Sequence, residues 1–215
     1  MNDMPINGKW ISAGADQFWT DIARHDHVVQ LYEKDGVFLD TLTGFIEATI
    51  HADENVVIIA TDQHLSALEA RLGTYGVEIE RMISEHRFIP FNVEEIIAEF
   101  VIDDHLDETL LLKAASDLLT KAAYGKRKFK MFGEIAPTLM AQGYKDIPMR
   151  IEQIFDKVFH EHRSCLYCGY SSKLFNGDLS QYRSPVCEVH SKIISGSVKQ
   201  LTHVLYQQMP ASLSN

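Results

Sequence analysis

The stretch His25-Asp26-His27-Val28-Val29-Gln30-Leu31-Tyr32-Glu33-Lys34-Asp35-Gly36 decides how the chain is read. Val28, Val29, Leu31 and Tyr32 make a short β-prone run, residues 33–36 break it, and Val37, Phe38, Leu42, Phe45, Ile46 and Thr49 then recur at helical spacing. The spacing predicts a buried strand, a tight turn and a helix, which together make one βα unit. Ligands of open α/β sheets bind beyond the carboxyl ends of the strands, so residues 32–36 are the default floor of a site. A phosphate-binding loop would need Gly-x-x-x-x-Gly-Lys-Ser/Thr, whose bare N–H groups wrap phosphate oxygens. Glu33 and Asp35 stand there instead, and an acidic turn repels phosphate.

Working outward, residues 56–60 (Val-Val-Ile-Ile-Ala) form a continuous apolar run of the kind buried on both faces of a parallel sheet. Thr61 or Asp62 can cap the next helix, whose Leu65, Leu68 and Leu72 share a face and whose end is marked by Gly76. Residues 87–92 read as a third strand and 93–100 as a short acidic helix. A longer helix is expected over 105–124, capped by Asp104 and stopped by Gly125. A fourth strand follows over 129–135, then a helix capped by Asp146 with Pro148 in its first turn, and its apolar stripe runs through Ile151, Ile154, Phe155, Val158 and Phe159. Residues 165–170 read as the fifth strand and 186–206 as a last helix. Strands alternating with helices predict an α/β fold of three layers, with a mostly parallel central sheet covered on both faces. Residues 1–24 read as a lead-in packed on the surface, 25–208 as one domain and 209–215 as a tail.

Composition narrows the function. The chain has 215 residues, 46% of them hydrophobic, which suits one substantial core. Its formal net charge is -10, from 30 acidic against 20 basic residues, which argues against direct nucleic-acid binding because phosphate neutralisation needs a basic face. The basic run 125–130 reads first as a solvated loop and strand start, and second as an anion contact. No stretch approaches the ~20 apolar residues of a membrane span, and no signal-peptide core is present, so a soluble cytoplasmic protein is expected. Cys165, Cys168 and Cys187 make an odd count, which fits reduced thiols.

If the five strands are parallel, Tyr32, Glu33, Thr61, Asp62, Glu134, Tyr170 and Ser171 all emerge at one edge, with Glu134 the foremost candidate for ligand binding. Its competing role is to cap the next helix or pair with a lysine. His27 starts its strand, roughly 15 Å from the Tyr32 end, and by itself reads as a structural histidine. Cys165, Cys168, Cys187 and His190 have the spacing of a Cys3His zinc site. Against this, residues i and i+3 of a strand face opposite sides, so a strand cannot offer both Cys165 and Cys168 to one metal. A redox Cys-x-x-Cys is weaker still, since it belongs at a helix N-terminus. Nothing resembles a nucleophile elbow, a zinc-protease motif or a dinucleotide fingerprint, so the sequence gives no positive sign of an enzyme.

The order of these motifs resembles the MEDS family, the methanogen/methylotroph DcmR sensory domain. The likeness rests on the strand at 27–32, Phe132-Gly133-Glu134, the amphipathic helix from Asp146, Leu166-Tyr167-Cys168-Gly169-Tyr170 and Cys187-x-x-His190, and covers about residues 25–195. It implies a relative of the RecA/KaiC ATPases whose P-loop is lost, acting as a non-catalytic sensor of small hydrocarbon derivatives. By position it carries His27, Tyr32, Glu134, Cys168 and His190 over as ligand-binding residues, with no cofactor and zinc as the alternative. Lys130 stands where the family tends to have Arg, so a point charge replaces a planar fork. Family members are often joined to DNA-binding or kinase modules. This chain has no room for one, so signalling would pass through a separate kinase or transcription regulator, with a homo-oligomer left open. The competing reading is a protein-interaction adaptor without a small ligand.

Overall fold

The computed structural model describes residues 9–196 and 203–209. In chain order the strands are β1 (Ile11–Gly14), β2 (His27–Tyr32), β3 (Asn55–Ala60), β4 (Phe88–Asn92), β5 (Val101–Ile102), β6 (His105–Leu106), β7 (Phe129–Gly133), β8 (Cys165–Ser171), β9 (Lys192–Gly196) and β10 (His203–Gln208). The helices are α1 (Ala15–Asp21), α2 (Asp35–His51), α3 (Asp62–Thr74), α4 (Ile79–Ser84), α5 (Val93–Ala98), α6 (Glu108–Ala122), α7 (Ile135–Ala141), α8 (Asp146–Glu161) and α9 (Arg183–Val189). An eight-stranded sheet runs β1-β10-β9-β2-β8-β7-β3-β4. From β9 to β4 all neighbours are parallel, and β10 and β1 add antiparallel pairs at one side. The expected three-layer α/β architecture is therefore the one formed. No helix among the described residues is long and apolar enough to cross a membrane.

Period-2 alternation assigns every central strand residue to one of two cores. Val28, Tyr32, Val56, Ile58, Phe132, Cys165 and Tyr167 face the layer that includes α1, α2 and α3. Val29, Val57, Ile59, Met131, Leu166, Cys168 and Tyr170 face the layer that includes α5 to α9. The lead-in is more than a surface wrapping: Trp19 of α1 is fully buried, and Lys130, at the end of the basic run, is buried with its Nζ donating to the Trp19 carbonyl at 2.8 Å. Arg127 meets Asp53 at 3.6 Å, so those two cations of the run serve the fold.

Several boundaries move for identifiable reasons. Helix α2 starts at Asp35, so only Glu33 and Lys34 separate it from β2. Thr61 is the cap of α3, accepting from the His64 N–H at 3.3 Å. Asp103 and Asp104 take left-handed φ angles of 47° and 62° at the β5–β6 turn, so Asp104 cannot cap α6. Asp107 does so, accepting from Thr109 and Leu110 N–H groups at 2.9 and 3.0 Å. Lys145 occupies the cap position of α8 and Asp146 its first turn, where a negative charge suits the helix dipole.

The expected last helix over 186–206 is not formed. It is replaced by α9 over its first turn, then β9, residues outside the described set, and β10. Lys192-Ile-Ile-Ser-Gly is β-branched and ends in glycine, and β2 has a free edge that its backbone satisfies. Gly196 is obligatory there, since a Cβ would lie 1.9 Å from the Leu31 carbonyl oxygen.

Gly169 plays a comparable part in the sheet centre, where a Cβ would come within 2.7 Å of Phe38 and 3.2 Å of Phe132. We expect Gly169→Ala to destabilise the protein by about 1–3 kcal/mol through overpacking. Urea unfolding should show a lower midpoint with an unchanged slope.

Candidate functional site

The five residues carried over by resemblance divide into two groups. Tyr32 and Glu134 lie at the carboxyl edge, while His27, Cys168 and His190 meet beneath the sheet, in the layer of α8 and α9.

At the edge, Glu134 leaves β7 as the first residue before α7. One carboxylate oxygen accepts from the Thr61 N–H at 3.1 Å and the other bonds His64 Nδ1 at 2.6 Å. Tyr32 stacks on Phe38 with ring centroids 4.5 Å apart, and Phe38 lies 5.1 Å from the His64 ring. Burial, and then the nearby charge of Glu134, push the Tyr32 phenol up. Burial works against a charged His64, but Glu134 outweighs it and the pKa is raised. Both Glu134 oxygens thus have protein partners. Tyr170, expected at this edge, is instead fully buried under the sheet.

Beneath the sheet, His27 and Cys168 share a face because His27 pairs in register with Leu166 and both strands then alternate. His27 Nε2 lies 3.4 Å from Cys168 Sγ and 3.2 Å from Glu152 Oε2. Its other nitrogen, Nδ1, lies 3.2 Å from Asp156 Oδ1. Glu152 and Asp156 stand one turn apart on α8 and so reach the same histidine. His190, just after α9, lies tilted against His27 with ring centroids 3.9 Å apart, and its Nδ1 bonds the Val186 carbonyl at 2.5 Å. Its Nε2 is buried without a hydrogen-bond partner and lies 3.8 Å from Glu152 Oε2. Tyr170 OH donates to Glu152 Oε1.

These contacts set the charges. Burial disfavours a charged His27, but Asp156 and Glu152 overcome it and raise its pKa to about 9. Burial alone would raise the Glu152 carboxyl, yet its bond to His27, the charge of His27 and the bond from Tyr170 hold it well below the ordinary range. Burial, then the charge on His27, drives His190 down to about 3, which leaves it neutral. Burial also keeps the Cys168 thiol protonated, with Glu152 adding to the effect. In these surroundings Cys168 is no nucleophile.

Cys165 and Cys168 do face opposite cores, as strand geometry requires, and Cys187 is not in the cluster. The Cys3His set is therefore not assembled. The His/Cys/Asp/Glu group that comes together is His27, Glu152, Cys168 and His190, whose ligand atoms all lie within 4.8 Å of one another. Glu152 was not anticipated, although a carboxylate three residues before Phe155 and seven before Phe159 on an apolar helix face was the available signal.

Beside this cluster is a small cavity of about 10 Å³, room for about one water-sized molecule. Met131, Ala136, Ile151 and Phe155 are among its apolar walls, and Glu152 and Cys168 are its polar end.

With this geometry in place, a family model described as "MEthanogen/methylotroph, DcmR Sensory domain" (MEDS) matches residues 26–190, and the chain belongs to that family. No curated protein matches the chain.

The His64–Glu134 pair carries a signed pH dependence. Because the folded-state pKa of His64 is raised, its contribution is fully present below the ordinary histidine value of about 6.5 and is lost as pH rises through the higher folded value. The stability difference between wild type and His64→Gln should be about 1 kcal/mol near pH 6 and shrink as pH rises past the ordinary histidine value, measured by urea unfolding.

Proposed function

With membership of a sensory family as the premise, we propose that this chain is a non-catalytic sensor that binds a small organic molecule in the cavity between the sheet and α8. The observation that carries this reading is the cavity itself, an apolar pocket with only a carboxylate and a thiol at one end. Such a lining favours a molecule that is mostly hydrocarbon with one polar or polarisable group. The space as it stands holds about one water-sized molecule, so a short alcohol or halogenated hydrocarbon would enter as the walls move apart. No bond need be broken. Binding acts only to the extent that the ligand prefers one arrangement of α8 and its neighbours over another, and a separate signalling protein reads the difference.

A second reading is favoured by the carboxyl edge. There Tyr32, Phe38, His64 and Glu134 fill the position where relatives with a nucleotide loop would hold a ligand, which suits an adaptor that recognises only protein.

Thermal unfolding across short-chain alcohols, halogenated hydrocarbons and Mg-ATP separates the two. The sensor reading expects a rise in midpoint with a small organic compound alone, worth ~2.7 kcal/mol at a hundredfold excess over Kd. Ala136→Leu, which fills the cavity, should abolish that rise. A rise that survives Ala136→Leu would move the site elsewhere, and no response across the panel would leave the adaptor reading.

A further inference from the structure

We propose that His27 Nε2, Glu152 Oε2, Cys168 Sγ and His190 Nε2 form a binding site for a divalent transition metal of the zinc class. Four donor-to-donor distances are 3.2, 3.4, 3.8 and 3.8 Å. Tetrahedral coordination at Zn–N of ~2.0–2.1 Å and Zn–S of ~2.3 Å places ligand atoms roughly 3.3–3.6 Å apart, so the cluster is close to that geometry. The two nitrogens, one thiol and one carboxylate select zinc, cobalt or a similar ion over magnesium or calcium, which prefer oxygen.

The surroundings of the donors point the same way. A metal-bound histidine ordinarily donates its second N–H to a carboxylate or a carbonyl, which fixes the ring and its tautomer. His27 faces Asp156 through Nδ1 and His190 faces the Val186 carbonyl through Nδ1, so in both rings Nε2 is the nitrogen aimed inward. Tyr170 holds one oxygen of Glu152 and leaves the other toward the cluster. The orphaned Nε2 of His190 is the independent sign: a buried acceptor without a partner is costly, and a metal would satisfy it. Asp156, which holds the outer nitrogen of His27, is 35% exposed, so one side chain separates that ring from solvent. The competing account is a hydrogen-bonded ion pair of protonated His27 and ionised Glu152, which explains three of the residues and leaves His190 Nε2 unexplained.

This inference deepens the proposed function, because Glu152 and Cys168 also form the polar end of the cavity. A small alcohol or halide bound there would sit beside the metal. Metal binding itself does not depend on that reading.

The test uses the whole chain, stripped with a chelator and titrated with zinc or cobalt. About one metal per chain should bind, zinc should raise the thermal midpoint, and cobalt should give visible d–d bands with near-ultraviolet thiolate charge transfer. Cys168→Ser should lose the charge-transfer band, and His190→Gln should weaken binding by at least tenfold. Asp156→Asn, on a partly exposed residue, should weaken affinity by roughly 10–100-fold while the thiolate band persists. No saturable metal binding, or a thiolate band that survives Cys168→Ser, would overturn the site. Repeating the organic panel on stripped and loaded protein keeps the two ideas apart. An organic response in a protein that binds no metal removes the metal and leaves the cavity reading. Metal binding without any organic response supports the metal site and removes the cavity reading.

Discussion

The structure depends on the seating of β2 between β8 and β9, and above all on the polar knot that starts those pairings. Ser191 Oγ donates to Asp26 Oδ1 at 2.8 Å and accepts from the His27 N–H at 3.1 Å, while the Ser191 N–H donates to the His27 carbonyl at 2.7 Å. Lys192 pairs with Asp26, and the Leu166 N–H donates to the Asp26 carbonyl at 3.0 Å. One buried aspartate thereby fixes the register of three strands, and a one-residue slip would turn every side chain to the wrong core. Because His27 follows Asp26 and His190 precedes Ser191, the knot also brings the two imidazoles together. The cluster beneath the sheet is a consequence of register.

The chain's five principal strands were legible because buried parallel strands write themselves as short apolar runs between turn signals, as at Val56 to Ala60. The C-terminal strands were not. Ile193, Ile194, Val204 and Tyr206 also suit a helical period, and what decides between the two is the edge of β2, a tertiary fact. The site shows the same limit. His27, Cys168 and His190 could be grouped only by resemblance, since they are 141 and 22 residues apart along the chain and no spacing rule joins all three. Tyr32 and Glu134 were grouped with them by the family resemblance, and the structure places this pair apart, at the carboxyl edge beside Phe38 and His64. Glu152 was hidden among the apolar residues of α8 because periodicity weighs hydrophobicity and passes over one carboxylate.

Burying that carboxylate is expensive, and the arrangement shows how the cost is met. A charged pair under a sheet gives up several kcal/mol of hydration per ion, recovered only when the remaining hydrogen-bonding capacity is used. Glu152 meets His27, Tyr170 and the Cys168 thiol, so three of the four polar side chains around it are matched and His190 is the fourth, while His27 in turn meets Asp156. Such a core contributes little to net stability compared with apolar packing of the same volume, but losing one partner leaves a charge stranded. The polar cluster is better understood as a constraint on function than as a source of stability.

That constraint has a mechanical side. Within little more than one turn of α8, Ile151 and Phe155 wall the cavity while Glu152 and Asp156 hold His27. Whatever occupies the cavity must therefore press on the helix that orients the cluster. On the far side, α8 packs on α9, and α9 ends at His190, directly before the residue that anchors β9. A displacement of α8 would reach β9 through α9, and would reach the carboxyl edge through α7, which packs on α8 and starts directly after Glu134.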